Sequence, residues 1–111
     1  MFPRAARLNI NQSFQWVIKG HRFQTVALRL WWRFGENPQA LVGVALSKKD
    51  FKRSVDRNRA KRLVFAALMS VYPKLPKGIN LVIMPNAKVL TGRFDELQQQ
   101  LENVKGLYLA N

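Results

Sequence analysis

Residues 40–72 read ALVGVALSKKDFKRSVDRNRAKRLVFAALMSVY, and three signals follow one another within them. Ala40 to Ser47 is a run of small and β-branched residues, which predicts a strand. Its two faces are Ala40, Val42, Val44, Leu46 and Leu41, Gly43, Ala45, Ser47. Lys48 to Val55 is a charged connection. Asp56 to Tyr72 then places Ala60, Leu63, Val64, Ala67, Leu68 and Val71 at helical spacing, and Pro73 stops the helix. After a loop to Gly78, Ile79 to Met84 is a short apolar strand. A strand–helix–strand unit results, and a small α+β fold is expected around it.

Working upstream, Asn11 to Lys19 predicts a short helix, with Asn11 or Ser13 as its cap and Gly20 past its end. Ile10, Phe14, Val17 and Ile18 share one face. Trp16 points away and is expected half-buried under the N-terminal segment. Arg22 to Phe34 alternates as a single strand. Val26, Leu28, Leu30, Trp32 and Phe34 form its core face. Phe23, Thr25, Ala27, Arg29, Trp31 and Arg33 form the other, which is cationic and aromatic together. Gly35 to Gln39 is a turn, so the strand from Ala40 is expected antiparallel to this one, its small residues leaving a groove beside Trp31. Downstream, Thr91 to Val104 predicts a final helix capped by Thr91. Phe94, Leu97, Leu101 and Val104 face inward, and Asp95 and Glu96 sit in the first turn, where acids suit the dipole. The order is α-β-β-(β)-α-β-α, the bracketed strand being short and optional. A single-layer sheet packed by helices, in one domain over residues 1–111, is expected.

Composition narrows the function. The 111 residues hold 19 Lys and Arg against 6 Asp and Glu, a net charge of +13. Self-repulsion at that charge is relieved by a polyanion, so nucleic acid is the leading partner and an anionic membrane surface the second. A hydrophobic fraction of 48% is too rich for a disordered basic tail. Without Cys there are no disulfides or thiolate metal sites, and the lone His21, read as an ordinary loop residue, excludes a multi-histidine site. No apolar run is long enough to span a membrane. The first eleven residues lack the apolar core of a secretory signal, so a cytoplasmic location is expected.

The charge is concentrated in Lys48 to Arg62. Lys48, Lys49, Lys52, Arg53, Arg57, Arg59, Lys61 and Arg62 face only Asp50 and Asp56 there. A solvated basic face would explain the count but not the placement. Cations in the first turns of a helix oppose the macrodipole by about 0.3–1 kcal/mol each. A phosphate-rich ligand reverses that cost, because amides and guanidinium forks then act together on its oxygens. Arg57, Asn58, Lys61 and Arg62 lie off the apolar stripe and are expected to reach out. Arg59 flanks it.

Ser47-Lys48-Lys49, then seven residues, then Arg57-Asn58-Arg59-Ala60-Lys61-Arg62-Leu63 resembles the bacterial ribonuclease P protein family. Arg7-Leu8 followed by Phe14, Val17 and Gly20 is similar to the family's first-helix pattern. The resemblance implies a left-handed strand–helix–strand crossover, against the usual hand. It implies a protein subunit that binds a large catalytic RNA and assists removal of the 5′ leader from precursor tRNA. The RNA and its Mg²⁺ would carry the chemistry, so the protein would hold no catalytic residue, metal or cofactor of its own. No obligate protein partner follows. Carried over by position, Lys48, Lys49, Lys52, Arg53, Arg57, Asn58, Arg59, Lys61 and Arg62 would meet the catalytic RNA. Phe14, Trp31, Arg29 and Arg33 would meet the leader, whose bases stack on aromatic planes for about 1–3 kcal/mol each.

The chain departs from the family pattern in three places. Asp50-Phe51 stands where a Gly often follows the Lys pair, so no glycine-only backbone is expected there. Phe65-Ala66 stands where an Arg-Glu pair is usual, and the charged tail is nearly absent after Val104. Phe65, Met69 and Tyr72 then make the end of the long helix apolar nearly all round, a sign of cover on both sides. Cover by the chain's own N-terminal segment is expected. Three rival functions fit less well. A structural RNA-binding protein of ribosomal type shares the charge but not the Lys-Lys to Arg-Asn-Arg spacing. A major-groove DNA reader needs polar side chains where Phe65, Met69 and Tyr72 stand. A metal nuclease needs clustered carboxylates, and the six here are scattered.

Overall fold

The computed structural model describes residues 3–104 and 106–108. Helix α1 is Ile10–Val17, strand β1 His21–Gln24, β2 Leu28–Phe34 and β3 Leu41–Val44. Helix α2 is Ser54–Val71, strand β4 Ile79–Pro85, and helices α3 and α4 are Lys88–Thr91 and Phe94–Glu102. Single 3-10 turns at Arg4–Ala6 and Tyr72–Lys74 complete the elements. The fold is α+β, with one four-stranded sheet among the described residues in the order β1-β2-β4-β3.

β4 is central, and its near-continuous apolar run reflects burial on both faces. It pairs antiparallel with β2 and parallel with β3. The expected pairing of the two upstream strands is therefore wrong: β4 lies between them. The main core fills one face, where α2 and α4 pack over Leu28, Leu30, Trp32, Val42, Ile79, Leu81 and Ile83. A small satellite core of Leu8, Val17 and Val82 lies on the other face, under α1. The N-terminal segment closes the β3 edge through a bridge between Arg7 and Val42.

The hand of the β3–α2–β4 crossover follows from Val42. Its side chain enters the α2 core, while its carbonyl faces the outer edge and accepts from Leu8 N at 2.8 Å. Take the strand running upward, seen from the α2 side. An L-residue whose side chain points at the viewer has its carbonyl on the right. β4 then lies on the left, so the path over α2 moves leftward. The crossover is left-handed, against the common rule.

The single strand expected from Arg22 to Phe34 is a hairpin. Thr25 to Ala27 turn, and β1 folds back with Arg22 opposite Trp31 and Phe23 opposite Leu30. Phe23 thereby joins the main core, and Val26, expected inside, sits at the tip with 68% exposure. The expected alternation holds from Leu28 onward. Asn9, not Asn11 or Ser13, caps α1 by accepting from Gln12 N at 3.3 Å. Gly20 is needed for closeness: a Cβ there would lie 2.3 Å from the Trp32 carbonyl oxygen. The final helix is two pieces, so Thr91 ends α3 and does not cap α4, and Phe94 faces out. Leu97, Leu101 and Val104 are buried as expected.

The cover over α2 is partly intramolecular. Phe65 is 8% exposed, with the Arg7 guanidinium 5.0 Å above its ring centroid. Tyr72 is half-buried and donates to Ala40 O at 2.6 Å, and burial raises its hydroxyl pKa. Met69 remains 45% exposed.

Candidate nucleic-acid interface

The basic block starts from a turn that the core holds. Phe51 is 2% exposed, and its N–H donates to Ser47 O at 2.9 Å. Ser47 Oγ accepts from Lys49 N at 3.1 Å. With Phe51 tucked in, Lys48, Lys49, Asp50, Lys52 and Arg53 are all exposed. No non-glycine residue among those described has positive φ, so Asp50-Phe51 fits an ordinary backbone.

α2 begins at Ser54, two residues earlier than expected. Arg53 occupies its N-cap position without a side-chain cap bond, so the first-turn amides face the basic turn. Asn58, Arg59, Lys61 and Arg62 are exposed along the following turns. Arg57 behaves differently. It is half-buried, and its Nη1 donates to Phe51 O at 2.8 Å and Lys52 O at 3.3 Å. It ties the helix to the turn instead of reaching freely outward. Among the described residues, the block's one ion pair is Arg53–Asp56 at 3.9 Å. Seven exposed cations therefore stand within fifteen residues with little internal neutralisation, an arrangement that concentrates anions.

The second set of expected residues lies on the α1 side of β2. Arg29, Trp31 and Arg33 alternate onto that face, and α1 lies across it. The Phe14 and Trp31 ring centroids are 6.3 Å apart, edge to face. Both rings are half-buried, each keeping an open side, while Arg29 is exposed. The structure adds Arg22, whose guanidinium lies 5.9 Å from the Trp31 ring centroid. Counted as one strand, Arg22 falls on the wrong face; only the hairpin brings it here. Arg33 turns to the helix: its guanidinium lies 4.5 Å above the Trp16 ring, and Nη1 donates to Trp16 O at 3.2 Å. Trp16 therefore packs against Arg33 and Gly35, not under the N-terminal segment. His21, expected in a loop, begins β1 and stacks on Trp32 at 5.7 Å.

The groove expected from the small residues of β3 is filled at Gly43. A Cβ there would lie 2.3 Å from Ile10 Cδ1, so this glycine lets the first turn of α1 close onto the sheet. Arg29 pairs with Met84 on β4, and Ala45 N donates to Ile83 O at 2.9 Å as β3 runs out towards Lys48. Arg29 thus lies at the end of the sheet from which the basic turn springs, while Trp31, opposite Val82, stands at mid-sheet. Among the described residues no three His, Asp or Glu side chains converge on a possible metal position. No helix among them is long and apolar enough to cross a membrane.

Comparison with known proteins identifies the family. The model of the family described as Ribonuclease P matches residues 2–107. A ribonuclease P protein component from Xanthomonas campestris pv. campestris is 36% identical over 87 residues, 78% of this chain and 58% of its own length. One from Trichormus variabilis is 38% identical over 69 residues, 60% of this chain and 49% of its own. The matched stretch is thus about half the length of these relatives. The RNase P protein from Thermotoga maritima superposes with a TM-score of 0.79 at 22% identity, covering 92% of this chain and 94% of that one. The RNase P protein from Staphylococcus aureus gives 0.79 at 20%, covering 96% and 100%. At those identities the two structures speak for the fold.

Proposed function

The chain belongs to the ribonuclease P protein family, and on that premise we propose that it is the protein subunit of ribonuclease P, binding the catalytic RNA and the 5′ leader of precursor tRNA. One observation carries the reading: the strand register sets Arg29, on the aromatic face, at the same end of the sheet as the exit of β3 towards the Lys48–Arg62 block. Lys48, Lys49, Lys52, Arg53, Asn58, Arg59, Lys61 and Arg62 meet phosphates of the catalytic RNA, with Arg57 holding the turn and helix in place. Phe14 and Trp31 offer ring faces to unpaired leader bases, and Arg29 and Arg22 attract the leader backbone. Cleavage is the work of the RNA and its bound Mg²⁺; the protein contributes affinity and placement and needs no cofactor. The chain works as one RNA-binding domain, in the cytoplasm, without an obligate protein partner.

Single-turnover cleavage of precursor tRNA by a bacterial ribonuclease P RNA at low Mg²⁺ tests this. Added protein should stimulate cleavage at the mature 5′ end. Absence of stimulation with the cognate RNA, alongside tight binding to another structured RNA, would replace this reading with a structural RNA-binding role.

A further inference from the structure

We infer that Arg33 is a positioning residue, which clasps α1 to the sheet through Trp16 and so sets the spacing between Phe14 and Trp31 in the leader-facing cleft. The inference rests on the proposed function only for what the cleft holds. Its geometric basis is separate. α1 has eight residues, and the satellite core it shares has three buried members, Leu8, Val17 and Val82, with Ile10, Phe14, Trp31, Leu41 and Ala45 packed partly buried against them. Val17 is fully buried and Ile10 closes onto Gly43, but these two anchors lie seven residues apart on one stripe, and a short helix can still roll about that line. Phe14 and Trp16 lie about 200° apart around the helix, one on each flank. Both flanks are met by the same strand: Trp31 touches Phe14, and Arg33, two residues on, holds Trp16.

The Arg33 contact does two things at once. Its guanidinium covers the indole at 4.5 Å, and Nη1 donates to the carbonyl of the same residue at 3.2 Å. That carbonyl belongs to the last turn of α1, where it also accepts from Lys19 N at 3.4 Å and where the negative end of the helix dipole favours a cation. The Trp16 ring also rests near Gly35, where a Cβ would come within 3.3 Å of it. Roll about the Ile10–Val17 line is therefore blocked on the Trp16 side, and the Phe14–Trp31 distance is held from behind.

The test uses the reconstituted holoenzyme under non-cleaving conditions, comparing its affinity for precursor tRNA with that for the same tRNA lacking a leader. Arg33→Ala and Trp16→Ala should each reduce the leader-dependent gain about threefold to tenfold, as expected for loss of a cation–π contact and a charged hydrogen bond. The double variant should lose no more than either single variant, because both remove one clasp. Trp16→Phe, which keeps a ring, should recover most of the gain, and catalytic-RNA affinity should not change. A loss in Arg33→Ala with none in Trp16→Ala, accompanied by a salt slope about 0.7 shallower, would make Arg33 a direct phosphate contact and overturn the inference. Equal affinity in all variants would also overturn it. Hydrogen exchange on the free protein gives a readout independent of tRNA. The amides of Ile10–Val17 should exchange faster in both alanine variants while those of α2 stay unchanged; unaltered α1 exchange overturns the clasp. If wild-type holoenzyme shows no leader preference, the functional reading fails and the exchange result still decides the clasp.

Discussion

Arg57 and Arg59 stand two positions apart on one helix and do different work. The Arg57 guanidinium bonds the carbonyls of Phe51 and Lys52, whereas Arg59 is exposed. Arg57→Ala leaves the carbonyl of a 2%-exposed residue without this donor, and should lower stability by about 1–2 kcal/mol. Arg59→Ala should change stability by less than about 0.5 kcal/mol, as surface substitutions do. Both should weaken binding to the catalytic RNA. Urea unfolding followed by circular dichroism separates them; equal stability would mean the Arg57 bonds contribute nothing. Composition and helical position show that both residues are cationic, with Arg57 off the apolar stripe and Arg59 flanking it. They do not show that Arg57 turns back on its own backbone, because that depends on Phe51 being drawn into the core.

At the scale of elements, the β1–β2 hairpin is held from a distance. Gln100 Oε1, on α4, accepts from Ala27 N at 3.0 Å and from Thr25 Oγ1 at 2.5 Å. Gln100→Ala strips the buried Ala27 N–H of this acceptor and should cost about 1–3 kcal/mol. Gln100→Glu keeps an acceptor oxygen and should cost less, so the order of the two urea midpoints checks the role. This long-range bond is also why the turn is hard to read locally. Gln24 to Ala27 contains no Gly, Pro, Asn or Asp, the residues that mark turns for their own conformational reasons. Period-two alternation therefore runs straight through it. By contrast, the apolar stripe of α2, the inward face of β2 from Leu28 and the strand of β4 are legible, because each follows a local period that burial obeys. The parallel pairing of β3 with β4 is less so: Gly35 to Gln39 invites a hairpin, and only the competing central position of β4 defeats it. For the site, the split is similar. The basic block and Trp31 are readable as types at a spacing, while Arg22 joins only through the hairpin and Arg33 leaves only through Trp16.

At the scale of the whole molecule, charge is segregated as well as excessive. α4 carries Asp95, Glu96 and Glu102, half of all the acids, and no cation, while Lys48–Arg62 carries eight of the 19 cations. The longest dimension is 36 Å, so at about 0.01 M salt, with a Debye length of about 30 Å, repulsion acts across nearly the whole protein. At about 0.1 M that length falls to about 10 Å and only neighbours repel. Added salt should therefore stabilise the free protein, by about 1 kcal/mol or roughly 4 °C in Tm. The same salt should weaken its complex with the catalytic RNA, since each neutralised phosphate contributes about −0.7 to −0.9 to the slope of log K against log salt. Engagement of the seven exposed cations of the block would bring that slope to about −5 to −6. Thermal melts and equilibrium binding over one salt series measure both. Opposite signs are the signature of a surface whose repulsion is tolerated in the free protein because a polyanion relieves it. A binding slope shallower than about −2 would show that most of the block faces solvent in the complex, and the fold would then carry its charge for some other reason.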